Sequence, residues 1–379
     1  MSKFVTEPSR VKFGYGCVIS VLALSLSGAS GIVFAADDVD ALIEKAYKMM
    51  QADKNKPAEV LLRDALRTSP DNAKLHMVLG KNLAAQATAT RPDQRKHIED
   101  LYETAILEEN QALKLDPKLF GAHIALGQIY ANLGKNEQAI AEIKQACEIR
   151  PNSYGAHRDL GIACLTAGKV DEAIDAFKKA TTIKPDQPEA HMKLAILLSK
   201  RNNVKDALSE AADAAKLAPK DPETHIALAN ITLESGDANG AIEPFKTALA
   251  IAKNHPNALS GYGLAIVKKD PAQLAQGIEY QRKALVTSGG AFMPAYVRLA
   301  EFLYSSGKPV EAEDQYKKAL KINPNDPLVG TAYGKFLEAA GRKDDARVAL
   351  KKVLEKSPHF KPASDALAGL DQPNSPKTK

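Results

Sequence analysis

The sequence is poor in cysteine and in aromatic residues. Among its 379 residues there is no Trp, aromatic residues make up only 6%, and three residues are Cys. Three cysteines are too few for a disulfide framework and do not form the pattern of a cysteine-based zinc site. Two of them, Cys147 and Cys164, lie in the body of the chain, and we expect both to be structural and unpaired.

Neither sign of charge is in large excess. Lys and Arg total 51 against 46 Asp and Glu, which gives a formal net charge of +5, and basic and acidic residues alternate along the chain. Such a distribution offers no basic surface for nucleic acid or for an anionic membrane. The chain is also too long for one ordinary core, so it contains either several domains or a stack of small repeats.

No motif of a known catalytic centre is present. The sequence has no Walker-type phosphate loop, no paired CxxC, no HExxH and no Gly-x-Ser-x-Gly. Carboxylates such as Glu108-Glu109 and Asp344-Asp345 lie in no apolar pattern typical of a general acid, so we expect them on solvated faces. The sequence therefore predicts a protein that is not an enzyme and has no catalytic residue, cofactor or metal site.

The first 35 residues have the organisation of a secretory signal. Basic residues precede an apolar run from Val18 to Leu26, and Val33 and Ala35 suit the positions that a signal peptidase reads. We expect residues 1–35 to be cleaved and the protein to be exported, to a bacterial periplasm. The alternative is an inner-membrane anchor formed by residues 18–35, and membrane contact is expected only if this segment is retained.

The strongest signal in the sequence is a period of 34 residues. Three independent series share it. The first consists of prolines, namely Pro117, Pro151, Pro185 and Pro219. The second consists of Leu followed by a small residue, namely Leu126-Gly127, Leu160-Gly161, Leu194-Ala195 and Leu228-Ala229. The third consists of alanine pairs seven residues apart, such as Ala173 and Ala180, and together the series indicate stacked repeats.

Each repeat has the pattern of two helices joined by a turn. In one unit, apolar residues follow helical spacing on either side of a break at Ala167-Gly168-Lys169. Gly161 and Ala173 are small because the two helices cross closely there, and Phe177 fills the space beside them. Pro185 then ends the second helix.

This pattern resembles the tetratricopeptide repeat, whose signature is Leu-Gly on the first helix, Ala and an aromatic residue on the second, and a closing Pro. The resemblance implies an all-α fold, a right-handed α-solenoid superhelix of helix–turn–helix repeats whose first helices line a concave groove. Nine units span residues 36–358, with starts near residues 39, 73, 120, 154, 188, 222, 258, 293 and 327. A capping helix at 359–370 and a disordered tail at 371–379 follow.

Two units depart from the period. The second unit is 47 residues long, and its insertion lies within residues 85–104. We assign the excess to a longer loop at 90–93 and a longer second helix at 94–115. The seventh unit has Gly289-Gly290 where the closing proline is usual, which predicts a bend or hinge there.

Histidines also follow the period. They are His76, His123, His157, His191 and His225. Histidines one repeat apart on successive first helices are too distant to share a metal ion. We therefore expect them to pack against the second helix of their own repeat.

A second apolar stripe on each first helix predicts the binding surface. It is offset by about 100° from the stripe that packs inside the repeat. In the third to sixth units this stripe and its polar edge comprise Ile124, Arg158, Ile162, Leu165, Met192, Ile196, Lys200, Ile226, Asn230 and Leu233. An apolar strip of this kind suits an extended or helical segment of a partner. The alternative is that these side chains fill gaps between adjacent first helices.

The resemblance implies a non-enzymatic scaffold or assembly factor for protein–protein interaction in the cell envelope. Its partner would be a protein or peptide held in the concave groove, and no nucleic acid is expected. The alternative function is an accessory subunit of a polysaccharide synthesis or export system.

Overall fold

The structure, a computed structural model, describes residues 36–371. The predicted signal segment, 1–35, and residues 372–379 of the predicted tail lie outside the described residues. Within residues 36–371 every regular element is helical, and there is no strand. The helices up to Pro117 form one compact unit, and those from Lys118 onward form a second.

The first unit contains four helices. They are α1 Ala36–Gln51, α2 Asn55–Thr68, α3 Ala73–Ala89 and α4 Arg95–Leu115. The second repeat is longer than its neighbours, because α3 ends at Ala89 and α4 extends over 21 residues.

The second unit contains fifteen helices in the described residues. They are α5 Phe120–Asn132, α6 Asn136–Ile149, α7 Tyr154–Thr166, α8 Val170–Ile183, α9 Pro188–Lys200, α10 Val204–Leu217, α11 Pro222–Glu234, α12 Ala238–Ile251, α13 Pro256–Lys269, α14 Leu274–Thr287, α15 Met293–Ser305, α16 Pro309–Ile322, α17 Pro327–Ala339, α18 Lys343–Lys356 and α19 Lys361–Asp371. A short 3₁₀ turn, Pro271–Gln273, precedes α14. The last helix, predicted at 359–370, packs on α17 and α18 and adds Ala363 and Leu370 to their core.

Consecutive helices pack as pairs, α5 with α6, α7 with α8 and so on, as in an α-solenoid. In several pairs the close crossing depends on glycine. A Cβ atom added to Gly161 of α7 would lie 2.8 Å from the ring of Phe177 on α8, and one added to Gly334 would lie 2.7 Å from Leu350. Real Cβ atoms do not approach carbon this closely, so glycine is needed for Phe177 and Leu350 to be buried against the first helix.

The turn inside seven of the nine repeats is made by a residue with positive φ. This residue recurs at the same place in the repeat, as Asp53, Gly134, Gly168, Asn202, Gly236, Gly307 and Gly341. A left-handed residue after the last helical turn lets the chain reverse while backbone N–H groups still reach the helix carbonyls. Glycine adopts this conformation without strain, and Asn and Asp tolerate it better than other residues.

One carboxylate expected on a solvated face lies in the core instead. Glu109 of α4 is fully buried, and a Cβ atom on Gly80 would lie 2.7 Å from its Oε1 atom. It therefore occupies the place that Phe177 and Leu350 occupy in their own repeats. The expectation was wrong for Glu109 because the insertion in this repeat shifts the register of α4, which hides the core position in the sequence.

Candidate partner-binding face

Over α9 to α17 of the second unit, the first helices lie closer to one another than the second helices do. From α9 onward each first helix contacts the next, α9 with α11, α11 with α13, α13 with α15 and α15 with α17. Among the described helices of this unit, successive second helices such as α8 and α10 form no comparable contact. Stacking of this kind curves the part of the array from α9 to α17 toward its first helices, whereas α5 and α7, and α7 and α9, make no comparable contact.

Two isoleucines are the most accessible apolar residues of the predicted strip. Ile162 on α7 is 39% exposed and Ile196 on α9 is 36% exposed. They occupy the same position in consecutive repeats, 34 residues apart. The neighbouring strip residues Ile124, Leu165 and Met192 are partly buried. Ile124 and Leu165 pack against the core from which the two isoleucines project.

Two of the predicted groove residues are not available to a partner. Ile226 is 2% exposed and packs with Ala248 and Ala258, and Leu233 is 5% exposed and packs with the cluster that contains Ile266. Both lie on α11, which α13 covers closely through small residues such as Ala258 and Ala265. For Ile226 and Leu233 the gap-filling interpretation is correct, so the accessible apolar strip ends at α9.

The polar residues beside the strip differ in how they are held. Arg158 donates a hydrogen bond of 2.8 Å to Asp159, which raises the pKa of Arg158, and lies 3.7 Å from Glu189 on α9. Lys200 is exposed and forms no ion pair with another described residue. The predicted edge residue Asn230 is partly buried. Arg158 therefore links two repeats, whereas Lys200 is free to pair with a carboxylate on a partner.

The periodic histidines bind protein groups. His191 contacts Glu210 of α10 through Nδ1 at 2.6 Å and the carbonyl oxygen of Pro185 through Nε2 at 3.0 Å. His157 reaches only the carbonyl of Pro151, at 2.9 Å. Four of the histidines thus join their own first helix to the proline that closes the preceding repeat, namely His76, His157, His191 and His225. In the described residues no group of His, Cys, Asp and Glu side chains is arranged to hold a metal ion.

The sequence analysis did not predict a cavity near the end of the array. A cavity of about 440 Å³ lies against α15, α17 and the start of α19, and its walls include Tyr304, Phe336, Phe360 and Leu328. The rings of Tyr304 and Phe336 meet edge to face with centroids 5.3 Å apart. Glu301 and Lys335 also line this cavity, so the apolar stripe of the third to sixth units does not continue here, although the density of aromatic residues was a usable signal.

The two cysteines of the described chain are free. Cys164 is buried, and Cys147 is partly buried in a setting that raises the pKa of its thiol to about 11. Burial is the main cause of this shift, so the thiolate is disfavoured and Cys147 is a poor nucleophile. None of the helices in residues 36–371 is both long and apolar enough to span a bilayer.

Comparison with known proteins identifies the family. One family model described as a tetratricopeptide repeat matches residues 165–231 and 294–370, and a second with the same description matches residues 124–188. The chain is a tetratricopeptide repeat protein. This agrees with the 34-residue period, the Leu-Gly pairs and the paired helices of both compact units.

Solved structures share the α-solenoid fold of this tetratricopeptide repeat protein. A tetratricopeptide repeat protein from Parabacteroides merdae matches with a TM-score of 0.59 and 15% identity, over 67% of this chain and 99% of that one. The Cut9–Hcn1 hetero-tetramer of APC/C matches with a TM-score of 0.52 and 18% identity, over 88% of this chain and 64% of that one. This protein therefore spans less than two thirds of the latter chain. No curated protein matches the sequence significantly.

Proposed function

We propose that this tetratricopeptide repeat protein is a scaffold that binds a segment of a partner protein along the inner side of α5, α7 and α9. The observation that carries the proposal is the pair of exposed isoleucines, Ile162 and Ile196, at the same position of consecutive first helices. A single exposed apolar side chain is ordinary, but an aligned pair on a concave side is typical of a peptide-binding surface.

The partner segment must supply apolar side chains spaced to meet both repeats. Side chains of the segment that pack on Ile162 and Ile196 would remove apolar surface from water, the main favourable term in such binding. Ile124, Leu165 and Met192 extend the surface on both sides, and Lys200 stands at its edge. We therefore expect an apolar segment, with an acidic residue near Lys200.

Replacing both isoleucines tests the site. Peptides are selected from a random-peptide library on the wild-type protein, and their affinities are then measured for an Ile162→Glu, Ile196→Glu double variant. Two buried carboxylates in the complex should weaken binding by at least about tenfold, or ~1.4 kcal/mol. Circular dichroism should show unchanged helix content, because both side chains are substantially exposed in the free protein.

A matched control uses exposed valines on second helices of the same unit. Val310 on α16 is 82% exposed and Val348 on α18 is 69% exposed. A Val310→Glu, Val348→Glu variant adds the same charge and should bind the selected peptides as the wild type does. Undiminished binding by the folded isoleucine variant, or equal loss in the valine variant, would place the binding site elsewhere.

We further propose that the protein is exported and works in the cell envelope. The basic residues, the apolar run to Leu26 and the small residue Ala35 support this location. The mature protein should begin at Ala36 and be released without detergent. N-terminal sequencing of protein from the envelope fraction tests both points, and an intact Met1 chain recovered only in detergent would favour the anchor.

A further inference from the structure

The second repeat has an acid where most other repeats have an apolar core residue. In the α3–α4 pair, Glu109 packs against Gly80. Equivalent contacts elsewhere are Gly127 with Ile143, Gly161 with Phe177 and Gly334 with Leu350. The seventh repeat has Gln281 against Gly263, but Gln281 is hydrogen-bonded to Ser260. An acid at this position contributes less to the core than the apolar residues do, so its presence calls for an explanation other than packing.

Glu109 is isolated as well as buried. Its side chain is fully buried, and neither of its carboxyl oxygens has a hydrogen-bond partner. An ionised carboxylate is strongly disfavoured in such a place, because burial removes its hydration and nothing replaces it. Burial accordingly raises the pKa of Glu109 to about 9, so the closed helix pair holds the neutral acid at neutral pH.

Three titratable groups surround this carboxyl. Tyr47 faces it from α1, Lys81 from α3 and Glu108 from its own helix, α4. Glu108 is already held by His76, whose Nδ1 lies 2.6 Å from Glu108 Oε2. Lys81 has no ion pair with a described residue, and its burial lowers its own pKa while Glu109 raises it. Lys81 is thus the available cation for an ionised Glu109.

We propose that Glu109 is a proton-dependent latch of the α3–α4 helix pair. The neutral carboxyl stays in the core and keeps the pair closed. When the proton is lost, the side chain leaves the core toward Lys81, and the pair opens more readily. This device acts within the first compact unit and is independent of the partner-binding face on α7 and α9.

The direction of the pH effect follows from proton linkage. The pKa of Glu109 is higher in the closed pair than in the open one, where it returns toward 4.5. Between pH 4.5 and about 9 the open form has lost the proton and the closed form has kept it. Raising the pH therefore favours opening, by up to about tenfold per pH unit for one proton. Below pH 4.5 both forms are protonated and the effect disappears.

Amide hydrogen exchange on the full chain tests the latch. Opening of α3 and α4 is followed from pH 5.5 to 8.5, corrected for the intrinsic pH dependence of exchange, with α7 and α8 as an internal reference. In the wild type, opening of α3 and α4 relative to the reference should increase several-fold per pH unit. Glu109→Gln places a neutral residue of similar shape at this position. In this variant, opening of α3 and α4 relative to α7 and α8 should not change with pH.

A second variant keeps the test decisive if the glutamine disrupts folding. Glu109→Leu introduces an apolar residue of the kind found in most other repeats, and opening of α3 and α4 relative to α7 and α8 should then not depend on pH. Relative opening that does not depend on pH in the wild type, or an equal pH dependence in either folded variant, would overturn the proposal.

Discussion

Adding one methyl group at Gly161 should destabilise the second unit. In Gly161→Ala the new Cβ atom would lie 2.8 Å from Cε2 and Cζ of Phe177, a ring that is fully buried. The ring cannot turn away without displacing the core around it, and overpacking of this kind costs about 1–3 kcal/mol. Replacing a helical glycine by alanine raises the free energy of unfolding by about 0.5–1 kcal/mol through helix propensity. The net loss of unfolding free energy should therefore be roughly 0–2.5 kcal/mol, most of that range being destabilising.

The same helix supplies the control. A Cβ atom added to Gly155 meets nothing within 4 Å, so Gly155→Ala should be neutral or should stabilise the protein by up to about 1 kcal/mol. Urea unfolding of both variants, followed by circular dichroism, measures the difference. Combining Gly161→Ala with Phe177→Leu should cost less than the sum of the two single changes, because the smaller side chain relieves the clash. Equal stability of the two alanine variants would refute the close crossing.

Two further stability effects are expected. Asn202→Gly should raise the free energy of unfolding by roughly 1 kcal/mol, because Asn202 holds a positive φ of 59° where other repeats have glycine; no gain in urea unfolding would contradict the shared turn geometry. The pKa of Glu313 is lowered to about 2 by hydrogen bonds from Lys317, Tyr333 and Arg342. The contribution of Glu313 to stability should therefore be present above pH 4.5 and lost as the pH falls toward 2. The stability of Glu313→Gln should not show this decrease in acid unfolding. Equal acid sensitivity of the variant and the wild type would contradict the prediction.

The 34-residue period made most of the fold predictable. Helices begin at Phe120, Tyr154 and Pro188, the residues at which the units are predicted to start, because packing and proline positions both repeat in the sequence. Glu109 was not predictable in this way, since its repeat carries an insertion that breaks the register. A left-handed residue in most of the turns was readable from the spacing of Gly134 and Gly168, but only the structure extends the series to Asn202.

The binding face was less predictable than the fold. Helical spacing shows which side chains lie on one face of a helix, but not how closely the next helix covers that face. Ile162 and Ile226 both belong to the same predicted stripe, yet one is exposed and the other is covered by α13. The difference arises from small residues such as Ala258 on the covering helix, so burial depends on pairs of repeats and not on one repeat alone.

The bond between a periodic histidine and the preceding proline makes the length of the array adjustable. His157 reaches the carbonyl of Pro151 and His191 that of Pro185, each six residues upstream. If residues 154–187 were removed in frame, His191 would stand six residues after Pro151 and could form the same bond. One whole repeat can thus be deleted or duplicated while the same histidine–proline bond forms at the new junction. This property suits growth of such arrays by unequal recombination.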